Sequence, residues 1–76
     1  MKSFKVSLNS IEKVKGFVSA IQVSEGDFDL SSDRYVVDAK SIMGIFSLDL
    51  SKTLRLDIHD DSVADKLLPA LKEYII

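Results

Sequence analysis

The sequence contains no cysteine, and among its 76 residues there are one histidine, one proline and three glycines. Without cysteine, no disulfide cross-links the fold and no thiol chemistry is available. With one histidine, any chemistry that needs an imidazole depends on His59. No apolar run is long enough for a secretory signal or a membrane span, so we expect a cytoplasmic protein that does not associate with membranes.

Neither sign of charge dominates the chain, since ten basic residues face twelve acidic ones and the net charge is -2. Nucleic-acid-binding domains carry a clustered basic face, so we expect no nucleic-acid partner. We interpret Lys5, Lys13 and Lys15 as solvent-facing positions rather than as a phosphate site. No linker or repeat interrupts the chain, and its length fits one domain, residues 1–76, that buries about 60–65% of its unfolded surface.

The first half of the chain predicts a strand, a helix and a hairpin. Apolar residues alternate with polar ones at Phe4, Val6 and Leu8, which predicts a strand. Asn9 or Ser10 then caps a helix, and Glu12 stands three residues after Asn9 as in a capping box. The expected inner stripe of this helix is Ile11, Val14, Val18 and Ile21. Gly16 within it indicates close packing or an inexact boundary. Residues 28–30 and 34–37 predict two strands joined by a turn at 31–33.

The second half predicts a short helix, a strand and a last helix. The clearest alternation in the sequence is that of Leu54, Leu56 and Ile58, which predicts the fourth strand. Residues 60–62 cap the last helix. Its expected inner stripe is Val63, Leu67, Leu68, Leu71 and Ile75. Pro69 interrupts that stripe, so we expect a kink or two shorter helical pieces.

The element order β-α-β-β-α-β-α predicts an α+β fold. Alternate strand positions are polar, so only one face of the sheet is apolar and every helix has to cover that face. We therefore expect an open-faced sandwich, with a four-stranded antiparallel sheet and three helices on one side.

The chain is organised around the stretch from Val36 to Leu48, in which a strand ends and Ser41 caps a short helix. Ile45 and Leu48 supply the side of this helix that faces the core. Three further large apolar residues are more than a helix of two turns can bury. These residues, Ile42, Met43 and Phe46, are predicted to form an exposed patch. The alternative is that Ile42 or Phe46 belongs to the core.

The pentapeptide Lys40-Ser41-Ile42-Met43-Gly44, placed after a hairpin, resembles the HPr family, the phosphocarriers of the bacterial sugar phosphotransferase system. The resemblance implies the same open-faced architecture and a regulatory phosphorylation site at Ser41. It also implies that the following helix binds protein partners, through Lys40, Ile42, Met43 and Phe46. The partners it implies are a serine kinase or a transcription regulator that controls carbohydrate transport, and it implies no cofactor.

The second hallmark of that family is missing. HPr carriers accept a phosphoryl group on a histidine that opens the first helix, beside an arginine. Residues 8–15 of this chain contain no histidine, arginine or proline. The resemblance therefore predicts a regulatory or binding module rather than an enzyme or a working carrier, and Ser10 or Asn9 acts there as a cap. The alternative is a phosphocarrier with an unrecognised phosphoryl acceptor.

His59 does not replace the missing histidine, because it follows the fourth strand and is expected at the far end of the sheet from the first helix. Its neighbours Asp57 and Asp61 alternate with it, as metal ligands could, but a fourth ligand is lacking. We interpret the group as a solvated acidic end and expect no metal. The acidic residues Asp27, Asp29 and Asp33 flank the hairpin, where a paired-carboxylate hydrolase site is a poor fit.

Overall fold

Four strands form one antiparallel sheet in the computed structural model, which describes residues 1–76. The strands are β1 (Lys2–Val6), β2 (Phe28–Ser32), β3 (Tyr35–Asp38) and β4 (Leu54–Ile58). Their order across the sheet is β1-β4-β2-β3, so β1 and β3 are the edge strands. Leu56 is the cross-strand partner of Phe4 on one side and of Leu30 on the other, which places apolar side chains in a row on one face.

Three helices cover that apolar face, namely α1 (Ile11–Gln22), α2 (Ile42–Phe46) and α3 (Asp61–Leu71). Helix α1 contacts both α2 and α3, and α2 contacts β3. Strands and helices share a single hydrophobic core of 17 buried residues. The predicted open-faced α+β sandwich is confirmed. None of the three helices has the length and apolar character needed to cross a membrane.

Helix α1 differs from its predicted inner stripe. Its N-cap is Ser10, whose hydroxyl accepts a hydrogen bond from the Lys13 backbone N–H at 3.2 Å, so the predicted capping box of Asn9 and Glu12 is wrong. The buried residues are Val14, Phe17 and Ile21. Because successive residues of an α-helix are rotated by about 100° around its axis, these three side chains lie together on one side of α1, the side of Phe17. Ile11, predicted as core, lies beyond the edge of that stripe and is exposed.

Gly16 of α1 marks a close approach between the helix and the end of the chain. A Cβ atom at this position would collide with the hydroxyl oxygen of Tyr74. The Tyr74 ring is buried and meets Phe17 edge-on, with 5.7 Å between ring centroids. Close packing, one of the two predicted explanations, therefore accounts for this glycine.

Helix α3 runs without a break through Pro69, so the predicted division into two pieces is wrong. The proline stands two residues before the last helical residue, Leu71, and it removes one hydrogen-bond donor without ending the helix. Leu68 is exposed, and Ile75 leaves the helix to pair with Val6 of β1. Neither residue belongs to the buried stripe of α3, in contrast to the prediction, and the buried residues are Ala64, Leu67 and Leu71.

The hairpin between β2 and β3 has a two-residue loop, Asp33 and Arg34. The turn lies later in the chain than predicted, because Ser31 and Ser32 still pair with β3. Asp33 has a φ of 53°, in the left-handed region that aspartate tolerates better than most residues.

Candidate functional site

Ser41 opens helix α2 as its N-cap, as predicted. Its hydroxyl oxygen accepts a hydrogen bond from the Gly44 backbone N–H at 3.2 Å, and its carbonyl accepts one from Ile45 N–H at 3.0 Å. The side chain is partly buried. A Cβ at position 44 would lie 3.3 Å from the Ser41 hydroxyl oxygen and 3.2 Å from the Val37 Cβ, both closer than an ordinary contact, so Gly44 packs tightly between this cap and β3.

Helix α2 carries apolar side chains on two sides. Ile45 is fully buried and Ile42 is partly buried against the core, so Ile42 does not belong to the exposed patch that the sequence predicted for it. Met43 is 78% exposed and Phe46 is 42% exposed. One turn beyond the Ser41 cap, the protein thus presents two large apolar side chains to solvent.

Lys40, which precedes the cap, is directed to the end of α1. Its ammonium donates a hydrogen bond to the Ser24 carbonyl and lies 5.2 Å from the centroid of the Phe28 ring. Its carbonyl accepts a hydrogen bond from the Gln22 side-chain amide at 2.8 Å. Its backbone N–H donates to the Asp38 carboxylate at 2.9 Å. Lys40 therefore anchors the entry to α2, a role that the sequence pattern did not indicate.

The start of α1 contains none of the groups of a histidine phosphocarrier. Ser10 is engaged as the cap, and the first helical side chain is the apolar Ile11. His59 lies at the other end of the sheet, because β4 ends at Ile58, the partner of Lys2, whereas α1 follows the Val6 end of β1. The His59 Nε2 atom lies 2.8 Å from a carboxylate oxygen of Asp29.

The acidic residues singled out in the sequence do not converge on a metal site. Asp57 accepts hydrogen bonds from the Ser3 hydroxyl at 2.6 Å and from Arg55 Nε at 2.8 Å. Asp61 pairs with the amino group of Met1 at 2.8 Å. Nowhere do three His, Asp or Glu side chains form a group that could hold a metal ion.

The hydrolase interpretation has no geometric basis either. Asp33 pairs with Lys52 at 3.2 Å, whereas Asp29 pairs with His59 on the uncovered face of the sheet, so the two carboxylates have different partners and do not form a pair. Partial burial by itself raises the pKa of the Asp57 carboxyl, but the hydrogen bonds from Ser3 and Arg55 together lower it below its usual value. These carboxylates act as partners of neighbouring side chains.

Two exposed features at the β3 side of the molecule were not singled out from the sequence. Tyr35 and Val36, both on the edge strand β3, are 72% and 65% exposed. The β-branched run at 35–37 identified a strand, but its position at an edge depends on the strand order, which the sequence does not reveal.

Comparisons with known proteins add no relative to these observations. No protein-family model matches the chain, and neither a curated protein nor a solved structure matches it significantly. The HPr resemblance therefore stays a prediction that rests on the residues around Ser41.

Proposed function

We propose that this protein is an HPr-like regulatory module of a bacterial sugar phosphotransferase system that binds protein partners and does not carry phosphoryl groups. The observation that carries the proposal is the exposure of Met43 and Phe46 on α2, next to the Ser41 cap. The proposed partners are a serine kinase and a transcription regulator, both cytoplasmic.

The α2 surface, defined here as Ser41, Met43 and Phe46, has the properties of a docking site. Ile45 and Ile42 hold the helix on the core, so the two outer side chains can contact a partner without loss of the fold. Methionine is flexible and polarisable, and the aromatic ring supplies a large apolar area. Together they offer an apolar contact beside a hydroxyl that can be modified.

Phosphorylation of Ser41 would add a charge of roughly -1.5 to -2 and three acceptor oxygens to this surface. A phosphate oxygen can accept the Gly44 N–H hydrogen bond that the hydroxyl accepts now, so α2 keeps a capping group. The ammonium of Lys40 is already bound to the Ser24 carbonyl and faces Phe28. We therefore infer that a basic group of the partner, rather than Lys40, reads the phosphate.

A binding titration tests this proposal. The transcription regulator should bind the Ser41-phosphorylated protein more tightly than the unmodified one, and Met43→Lys should weaken that complex. Ile11→Lys is the matched control, because Ile11 is also apolar and exposed but lies at the opposite end of α1 from the contact between Gln22 and Lys40. Equal binding by the phosphorylated and unmodified proteins, or an equal effect of the two lysine substitutions, would contradict the proposal.

A second assay addresses the carrier alternative. The protein is incubated with the general enzyme of the phosphotransferase system and phosphoenolpyruvate, and acid-labile phosphate on the protein is measured. We expect none, because Ser10 is a cap and His59 is paired with Asp29 at the far end of the sheet. Stoichiometric acid-labile phosphate would make the protein a carrier and overturn the proposal.

A further inference from the structure

The two edges of the sheet are protected to different extents. Along β1, the end of the chain covers the edge: Ser7 N–H donates to the Tyr74 carbonyl at 2.9 Å, and Ile76 N–H donates to the Lys5 carbonyl at 3.0 Å. No segment pairs with the outer side of β3. Strand β3 is the shortest of the four strands, with four residues, but it contains no lysine, proline or bulge that would block pairing. Its open side thus offers a template for another strand.

The hairpin determines which backbone groups of β3 face this open side. Ser32 and Tyr35 flank the two-residue loop and pair with each other, so Tyr35 directs its N–H and C=O toward β2. The direction of the backbone N–H and C=O groups alternates from one residue to the next along a strand. Four residues later, the Ala39 N–H again points toward β2, where it donates a hydrogen bond to the Phe28 carbonyl at 2.8 Å. Val36 therefore directs both its N–H and its C=O outward. Asp38 directs only its N–H outward, because its carbonyl accepts the Ser41 N–H at 2.9 Å.

We propose that β3 pairs with β3 of a second copy of this chain, antiparallel, about a two-fold axis through Val36. In this register each Val36 exchanges two backbone hydrogen bonds with Val36 of the second copy. Tyr35 lies opposite Val37, and Arg34 lies opposite Asp38. The sheet then continues through both copies as eight strands.

Charge selects this register over its neighbours. Hydrogen bonding requires residues with outward-facing backbone groups to lie opposite one another, and a two-fold axis through any residue of the strand satisfies this. An axis through Tyr35 places Arg34 opposite Val36. An axis through Val37 places Asp38 opposite Val36, so neither of these two registers forms an ion pair. An axis through Arg34 or Asp38 places two identical charges directly opposite each other, which is unfavourable. The axis through Val36 instead forms two Arg34–Asp38 pairs and an apolar contact between the valines. The strand is thus complementary to itself in one register.

This pairing is independent of the function proposed above, because it uses the sheet edge and not the α2 surface. Sedimentation equilibrium of the full chain over a concentration series should show a monomer–dimer equilibrium. Val36→Pro removes the outward N–H, which β2 does not use, and should weaken the dimer by about tenfold through loss of two hydrogen bonds. Val36→Lys should weaken it similarly by placing two ammonium groups at the axis, whereas Met43→Lys should leave it unchanged.

A charge exchange tests the register itself. Arg34→Glu alone and Asp38→Lys alone should each weaken self-association, because both create two like-charged pairs. An equimolar mixture of these two variants should associate as tightly as the unmodified protein, because every pair across the axis is again of opposite charge. In an isotope-filtered NMR experiment on the dimer, the Hα of Tyr35 should contact the Hα of Val37 of the second copy.

Several results would overturn the proposal. They are a monomer at every concentration up to that used for NMR, assemblies larger than a dimer, and a dimer unaffected by both Val36 substitutions. Circular dichroism of each variant establishes that it is folded. Failure of the charge-exchanged pair to associate, with both variants folded, would rule out this register.

Discussion

Replacement of Gly16 by alanine tests how the end of the chain packs against α1. The new Cβ would collide with the Tyr74 hydroxyl oxygen, whereas the next nearest atom, the ring Cζ, is at an ordinary contact distance of 3.6 Å. The ring cannot move aside freely, because it is buried against Phe17 and the Tyr74 backbone is bonded to Ser7 and to Leu71. The hydroxyl group is therefore the cause of the conflict.

Two opposing effects set the magnitude. Alanine is more favourable than glycine inside a helix by up to about 1 kcal/mol. Overpacking of a core typically costs about 1–3 kcal/mol. We expect Gly16→Ala to lower the free energy of unfolding by about 1 kcal/mol. In a Tyr74→Phe background the collision is absent, so the same substitution should raise the free energy of unfolding by up to about 1 kcal/mol.

Urea denaturation of the four proteins of this double-mutant cycle measures the change of sign. The coupling energy between the two positions should reach at least about 1 kcal/mol, well above the additivity error of about 0.5 kcal/mol. If alanine stabilises both backgrounds equally, the close approach of Tyr74 to α1 is refuted.

Three further predictions concern single residues. Pro69→Ala should raise the free energy of unfolding by about 1–3 kcal/mol in denaturant titrations, because the ring of a proline within α3 removes a helical hydrogen bond; an unchanged value would contradict this cause. Ser41→Ala should lower the free energy of unfolding by about 1 kcal/mol, because the hydrogen bond from Gly44 N–H is lost. Ser10→Ala, at the other serine cap, should have an effect of the same size. An unchanged free energy of unfolding for Ser41→Ala would show that Ser41 does not stabilise α2 as a cap. The folded-state pKa of Asp57 is lowered, so its contribution to stability is complete above the unfolded pKa of about 4 and is lost as the pH falls through the folded-state pKa. Asp57→Asn should therefore destabilise the protein at neutral pH, with a difference from the unmodified protein that shrinks on acidification; a difference independent of pH would contradict the prediction.

Local patterns in the sequence were sufficient for the fold class. The alternation at Leu54, Leu56 and Ile58 identified β4, and all three side chains are buried. The caps Ser41 and Asp60 were also recognisable, because a short polar residue before an apolar repeat identifies a helix start. Such signals are contained within a few consecutive residues.

Features that depend on contacts between distant segments were not predictable. Phe17 is in the core instead of Ile11 because the sheet and Tyr74 determine which side of α1 is buried. In the sequence, Lys40 is indistinguishable from a solvent-exposed lysine next to a serine. In the structure, its ammonium donates a hydrogen bond to the Ser24 carbonyl after α1, 16 residues away in the chain. At the candidate site, the sequence predicted the exposure of Met43 and Phe46, but the partial burial of Ile42 depends on how α2 lies on the core.

The central claim is that the α2 surface binds a partner under the control of Ser41, and an NMR map tests it most directly. The ¹⁵N-labelled protein, phosphorylated at Ser41, is titrated with the transcription regulator of a phosphotransferase system. We predict that the perturbed backbone signals cluster between Ser41 and Ser47, with Met43 and Phe46 among the strongest, and that Ser41→Ala, which cannot be phosphorylated, shows much weaker changes. Perturbations that lie elsewhere on the surface, or that are the same for the Ser41→Ala protein, would contradict the claim.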